Sequence, residues 1–170
     1  MLSLSISIIR IIRRGTVATK AFYEKLVAWA KTYEVGVVSD LAYGALGYQG
    51  YENPSFLSTP GAKDVGIEFY TFSKTFNMAG WRLAFAAGND QMIEALNLIQ
   101  DHLFVGIFPA LQEAGIAALL DPKSEEAVAQ LNATYDSRRD AFVQAAARLA
   151  GRPFVAGCCA QMIGFCRHEL

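Results

Sequence analysis

Between Tyr70 and Arg82 the chain reads Y-T-F-S-K-T-F-N-M-A-G-W-R. Two hydroxyls, Thr71 and Ser73, are followed by Lys74, then by Gly80 and Arg82. A lysine directly after an apolar strand is costly unless it is paired or chemically used. Loss of water there favours the free amine, the form that condenses with an aldehyde. Thr71, Ser73 and Arg82 offer hydroxyl and guanidinium donors to a phosphate, and the arginine fork can bind two of its oxygens. Upstream, D-L-A-Y supplies Asp40 and Tyr43. A carboxylate against a pyridine nitrogen keeps it protonated, so that the ring can accept electrons from a developing carbanion. A phenol beside a ring oxygen would tune the same group.

These side chains need elements to hold them. A helix is expected from Thr19, a fitting N-cap, with Phe22, Leu26, Trp29 and Tyr33 recurring at helical spacing. Val35 to Ser39 is a short, largely β-branched run ending at Asp40, which predicts a buried strand with an acid at its C-terminal end. Gly44 to Pro60 has the Gly, Pro, Asn and Ser content of an ordered loop. Val65 to Phe72 and Leu83 to Ala87 are predicted strands, the latter closed by Gly88. Helices are expected from Asn89 or Asp90 to about Phe104, from Pro109 to Leu120, and from Ser124 to Leu149. The layout is α/β, and ligands in such folds sit at the carboxyl ends of the strands. Asp40 lies just past one such end, and Ser73 with Lys74 just past another.

Composition narrows the function classes. The chain has 170 residues, with 15 Lys plus Arg against 16 Asp plus Glu, and this balance argues against a nucleic-acid partner. Its 53% hydrophobic and 18% charged residues predict an ordered chain with some surface that expects a partner. No apolar run reaches the ~20 residues of a membrane span, so no membrane partner is expected. The three cysteines, Cys158, Cys159 and Cys166, form no disulfide framework and point to a reducing, cytoplasmic setting. No Cys/His spacing fits a metal, and His102 and His168 have no partner pattern.

The ordered set V-S-D-L-A-Y, P-G-A-K-D-V-G-I-E-F and S-K-T-F-N-M-A-G-W-R resembles the fold-type I, class I/II pyridoxal-phosphate aminotransferases. Within them it is most similar to bacterial alanine-, aspartate- and LL-diaminopimelate-type enzymes. The resemblance covers roughly Gly15 to Gly151. It implies the central part of a large cofactor-binding domain, a mostly parallel sheet covered by helices and incomplete at both ends. Residues 15–121 would belong to that domain, and 122–151 would be a helical connection toward a small domain. The resemblance makes Lys74 the Schiff-base lysine and the proton shuttle between substrate Cα and cofactor C4′. Asp40 would hold the pyridine nitrogen and Tyr43 the ring hydroxyl. Thr71, where the family usually has a serine, would join Ser73 and Arg82 around the phosphate. The implied reaction moves an amino group from an amino acid to a 2-oxo acid in a homodimeric family. A C–S lyase or decarboxylase on the same scaffold, or a non-catalytic pseudogene fragment, are the alternatives.

Both ends depart from the family. Relatives carry Y-P-N-N-P-T-G where this chain has Ile9 to Gly15. Written TAT CCG AAT AAT CCG ACG GGC and read one base late, that segment gives I-R-I-I-R-R, the sequence of Ile9 to Arg14. Residues 1–14 are therefore expected to be an out-of-frame reading. The alternation of Leu2, Leu4, Ile6 and Ile8 with serines fits a short strand as the alternative. Residues 152–170 are expected to be a non-family tail, in which no motif places Arg167. Lacking the family's N-terminal contributions, the chain is expected to bind cofactor weakly and to turn over slowly or not at all.

Overall fold

The computed structural model describes residues 18–47 and 50–150, together with the strand residues 155–156 and 166–167. The expected start of the first helix holds. Helix α1 spans Lys20–Tyr33, and the Thr19 hydroxyl accepts from the Phe22 N–H, satisfying a donor left free by the first turn. Its buried face differs from the expected stripe. Tyr23, Val27 and Ala30 turn inward, while Phe22, Trp29 and Tyr33 are exposed. Both sets recur at helical spacing, so periodicity alone could not choose between them.

Strand β1 (Val37–Asp40) and strand β2 (Gly66–Thr71) pair in parallel, with Ser39 opposite Glu68 and Asp40 opposite Phe69. Val65, expected in the second strand, instead ends the short helix α2 (Ala62–Val65). After β2 the chain makes the single-turn helix α3 (Phe72–Thr75) and returns as β3 (Ala84–Gly88). Strand β3 pairs antiparallel with β2, Tyr70 facing Phe85. The resemblance implies a mostly parallel sheet; the described three-stranded sheet, in the order β1-β2-β3, has one parallel and one antiparallel pairing. The 72–83 connection has only one-turn helices, and a parallel return needs a longer crossover.

The core forms where α1 lies on the sheet. Tyr23, Val27 and Ala30 meet Val37, Phe56 and Ala62, with the Tyr23 and Phe56 rings nearly edge-on at 5.8 Å. A second apolar group gathers around Phe72, whose ring lies 5.6 Å from Phe76 and 6.0 Å from Phe85. Helices α4 (Asp90–Leu103), α5 (Pro109–Leu120) and α6 (Ser124–Ala150) follow. Asn89 caps α4 by accepting from Met92 N–H, and its amide donates to the Asp64 carbonyl. Pro109 opens α5, where the missing N–H costs nothing. Gly115 of α5 lies against the second apolar group: a Cβ there would stand 2.6 Å from Leu83 Cδ2 and 3.3 Å from Phe72 Cζ. Much of the apolar excess lies exposed on α4, α5 and the link between them, including Leu103, Phe104, Phe108, Leu120 and an 87%-exposed Val105. The last two strands, β4 (Val155–Ala156) and β5 (Cys166–Arg167), pair antiparallel. The first fourteen residues, Cys158, Cys159 and His168 lie outside the described residues.

Candidate active site

Because β1 and β2 run the same way, Asp40 and Thr71 finish at one edge of the sheet. The Leu41 N–H, donating to the Phe69 carbonyl at 2.9 Å, extends that pairing past the strand end. Asp40 is exposed there, and its Oδ1 accepts from the Ala42 N–H at 3.0 Å, which starts the turn leading to Tyr43.

Past β2, Thr71 caps the turn that carries the lysine. Its hydroxyl accepts from the Ser73 N–H at 3.2 Å. The same oxygen lies 3.0 Å from Ser73 Oγ and 3.2 Å from the Leu83 carbonyl. The two hydroxyls are thus held together on half-buried residues. Thr75, on the same turn, is buried and linked to the Tyr70 hydroxyl at 2.7 Å. Phe72 and Thr75 root the turn inward, which leaves Ser73 and Lys74 half-buried at its outer side.

Lys74 Nζ stands 5.3 Å from the centroid of the Tyr43 ring. A cation at that distance from a phenol face is held by the ring quadrupole. The structure therefore brings Lys74 to Tyr43 across thirty residues of chain, and Thr71 to Ser73. Arg82 is turned differently. It takes the left-handed conformation at φ 55°, is exposed, and donates from Nη1 to the Ala79 carbonyl at 3.1 Å. That bond uses one of five guanidinium N–H donors. Trp81 is exposed beside it.

Three polar residues absent from the sequence reading support this edge. Glu68, only 6% exposed, accepts from Ser39 Oγ at 3.0 Å, Phe56 N–H at 2.7 Å and Ser55 Oγ at 2.6 Å. A buried carboxylate must be hydrogen-bonded, and these three donors meet that need. Asn53 donates to the carbonyls of Tyr43, Gly44 and Leu46 at 3.2, 3.3 and 2.8 Å. Asn132 of α6 donates to the Ala45 carbonyl at 2.9 Å. An acid in the middle of the apolar run V-G-I-E-F is the signal that could have revealed Glu68. Burial raises the phenol of Tyr23 above its ordinary value, the Glu68 charge adds to this, a hydrogen bond with Ser39 opposes it, and Tyr51 adds a smaller upward push.

A parallel strand pair with a lysine, a phenol, two hydroxyls and a carboxylate at its C-terminal edge has the arrangement in which α/β proteins carry their ligand sites. Residues 14–165 match the family "Aminotransferase class I and II". The chain belongs to this family of pyridoxal-phosphate-dependent enzymes. It is 54% identical over 131 residues to L-glutamine--4-(methylsulfanyl)-2-oxobutanoate aminotransferase of Bacillus subtilis, covering 77% of this chain and 32% of that protein. It is 46% identical over 130 residues to LL-diaminopimelate aminotransferase of Moorella thermoacetica, covering 76% of this chain and 33% of that one. Substrate-bound BacF of Bacillus subtilis superposes with a TM-score of 0.83 at 42% identity, over 91% of this chain and 38% of BacF. The chain thus spans about a third of the length of the curated relatives it matches. Among the described residues, no helix is long and apolar enough to cross a membrane, and no group of three or more His, Cys, Asp or Glu could hold a metal ion.

Proposed function

We propose that this chain is the cofactor-binding core of a transaminase that moves an amino group from an amino acid to a 2-oxo acid, with Lys74 as the covalent anchor of pyridoxal phosphate. The observation that carries this reading is the Lys74–Tyr43 contact at the end of the parallel strands, 5.3 Å from amine to ring centroid.

The donor set matches the cofactor part by part. Thr71 and Ser73, paired at 3.0 Å, offer hydroxyls to a phosphate, and Arg82 adds a guanidinium whose remaining N–H groups are available to it. The Asp40 carboxylate, at the end of the adjacent strand, suits a pyridine nitrogen. When bound, pyridoxal phosphate supplies an electron sink for the charge that develops at the substrate Cα. With the cofactor bound, the Lys74 amine would be the base positioned to carry a proton between the substrate Cα and cofactor C4′. Asp40 would hold the pyridine nitrogen in its protonated form, Tyr43 would serve the ring oxygen, and the two hydroxyls with Arg82 would hold the phosphate. Spanning about a third of its relatives' length, the 170-residue chain is expected by itself to bind cofactor weakly and to turn over slowly or not at all.

Adding pyridoxal phosphate to the chain should produce visible absorbance that Lys74→Ala lacks. Any turnover with an amino acid plus pyruvate or 2-oxoglutarate should give the oxo acid of the donor. No band in the parent chain overturns the reading. Pyruvate and a thiol from cystathionine would assign a lyase instead.

A further inference from the structure

Every carbonyl of the Tyr43–Leu46 turn is engaged. Tyr43, Gly44 and Leu46 receive the Asn53 amide, Ala45 receives Asn132, and the Tyr43 carbonyl also accepts from the Leu46 N–H at 2.9 Å. Two N–H groups of Asn53 serve three acceptors, so they are shared, with the shortest bond to Leu46. A four-residue turn without helix or strand partners would otherwise leave these carbonyls to water and to alternative conformations. Asn53 is itself fixed from below. Pro54 restricts its backbone, and Ser55 and Phe56 are bound through hydroxyl and N–H to the buried carboxylate of Glu68. The same carboxylate holds Ser39, the residue before Asp40. The loop also closes tightly upon itself: a Cβ on Gly47 would overlap the Tyr51 carbonyl oxygen.

We propose that Asn53 and Glu68 are positioning residues for the lysine site: Glu68 anchors the Ser55–Phe56 turn, and Asn53, two residues upstream, pins the Tyr43–Leu46 turn so that the Tyr43 ring lies against Lys74 Nζ. Their meaning for catalysis rests on the function proposed above, whereas the placement of the ring does not. Neither side chain meets the reacting atoms in this scheme. Each acts through Tyr43, and Glu68 also through the end of β1.

The test reads the ring directly, without cofactor. In the full 170-residue chain, lysines are reductively methylated with carbon-13 and followed by NMR, with the Lys74 signal assigned from Lys74→Arg. The Tyr43 ring current should displace that signal from the exposed-lysine position, and Tyr43→Leu should return it there. Asn53→Ala should cause the same loss, and so should Asn53→Asp, which keeps the shape but not the donors. Glu68→Gln, whose single amide oxygen must replace two carboxylate oxygens, should cause it in part; Ser55→Ala probes the same anchor should Glu68→Gln fail to fold. A Lys74 signal that Tyr43→Leu moves but neither Asn53 variant moves overturns the proposal, as does one that Tyr43→Leu leaves in place. Titrating the unmethylated proteins, whose lysines keep primary amines, with pyridoxal phosphate separates the two claims: no band in the parent defeats the functional reading, while the ring-current result decides the positioning roles by itself.

Discussion

Ser39 and Glu68 lie opposite one another in the parallel pairing of β1 and β2, and the Ser39 hydroxyl donates to Glu68 Oε2 at 3.0 Å beneath the sheet edge that carries Asp40 and Lys74. One residue beyond Ser39 is Asp40, and six beyond Glu68 is Lys74. A buried polar bond thus joins the two strands just below the residues whose relative placement the proposed chemistry needs.

Removing that carboxylate should be expensive. Glu68→Leu leaves the Ser39, Ser55 and Phe56 donors without their acceptor. Ser39 and Phe56 are buried, and each unsatisfied buried donor costs roughly 1–3 kcal/mol, so a total loss of about 2 kcal/mol or more is expected. Urea unfolding of parent and variant checks this through the fall in midpoint at unchanged slope. A midpoint close to the parent's would show that the Glu68 bonds contribute little.

Tyr23 gives the fold an alkaline limit. Its phenol ionises above its ordinary value in the folded chain, chiefly because burial disfavours the phenolate. Once pH passes the unfolded phenol's value of about 10, the unfolded chain releases a proton that the folded chain keeps. Stability should therefore be intact below that pH and fall as pH rises toward the folded value. Tyr23→Phe should flatten this part of the profile in denaturation series between about pH 9 and 11. An unchanged slope in Tyr23→Phe would place the alkaline sensitivity elsewhere.

How much of this was legible in the sequence depended on the kind of interaction. Thr19 and Asn89 were readable as caps, and Pro109 as a first-turn residue, because each acts on backbone within a turn of itself. The positions of Asp40 and Lys74 just past strands followed from apolar runs ending at polar residues. The inward face of α1 was not readable, since Tyr23, Val27 and Ala30 have the same spacing as the exposed aromatic stripe. The direction of β3 was open too, although a 72–83 connection without a full helix favours an antiparallel return. Asn53 and Asn132 left no local trace, because their acceptors lie up to 87 residues away in sequence. Arg82 was placed by motif alone, and the structure adds its bond to Ala79.

Gly115 should prove sensitive despite its distance from Lys74 in sequence. Gly115→Ala puts a methyl 2.6 Å from Leu83 Cδ2 and close to Phe72, the residue that roots the lysine turn. Overpacking of this kind typically costs 1–3 kcal/mol, against which better helix propensity returns about 1 kcal/mol. A net loss of roughly 1 kcal/mol is expected, measured as a lower melting temperature. A variant more stable than the parent would mean that Leu83 yields freely.

Asn89→Ala should weaken the junction of β3 and α4. It removes the cap on Met92 N–H and the tie to the Asp64 carbonyl. Loss of a helix cap costs about 1 kcal/mol, and amide exchange in the first turn of α4 should accelerate accordingly. Exchange as slow as in the parent would contradict that role.

The central claim is that Lys74, and no other lysine, carries the cofactor. Borohydride reduction of the chain with pyridoxal phosphate, followed by peptide mass mapping, tests it most directly. The account predicts the reduced cofactor's mass on the peptide containing Lys74, with Tyr43→Leu lowering the yield. Label confined to another lysine, or spread evenly over the exposed ones with Lys74 no different, would contradict it.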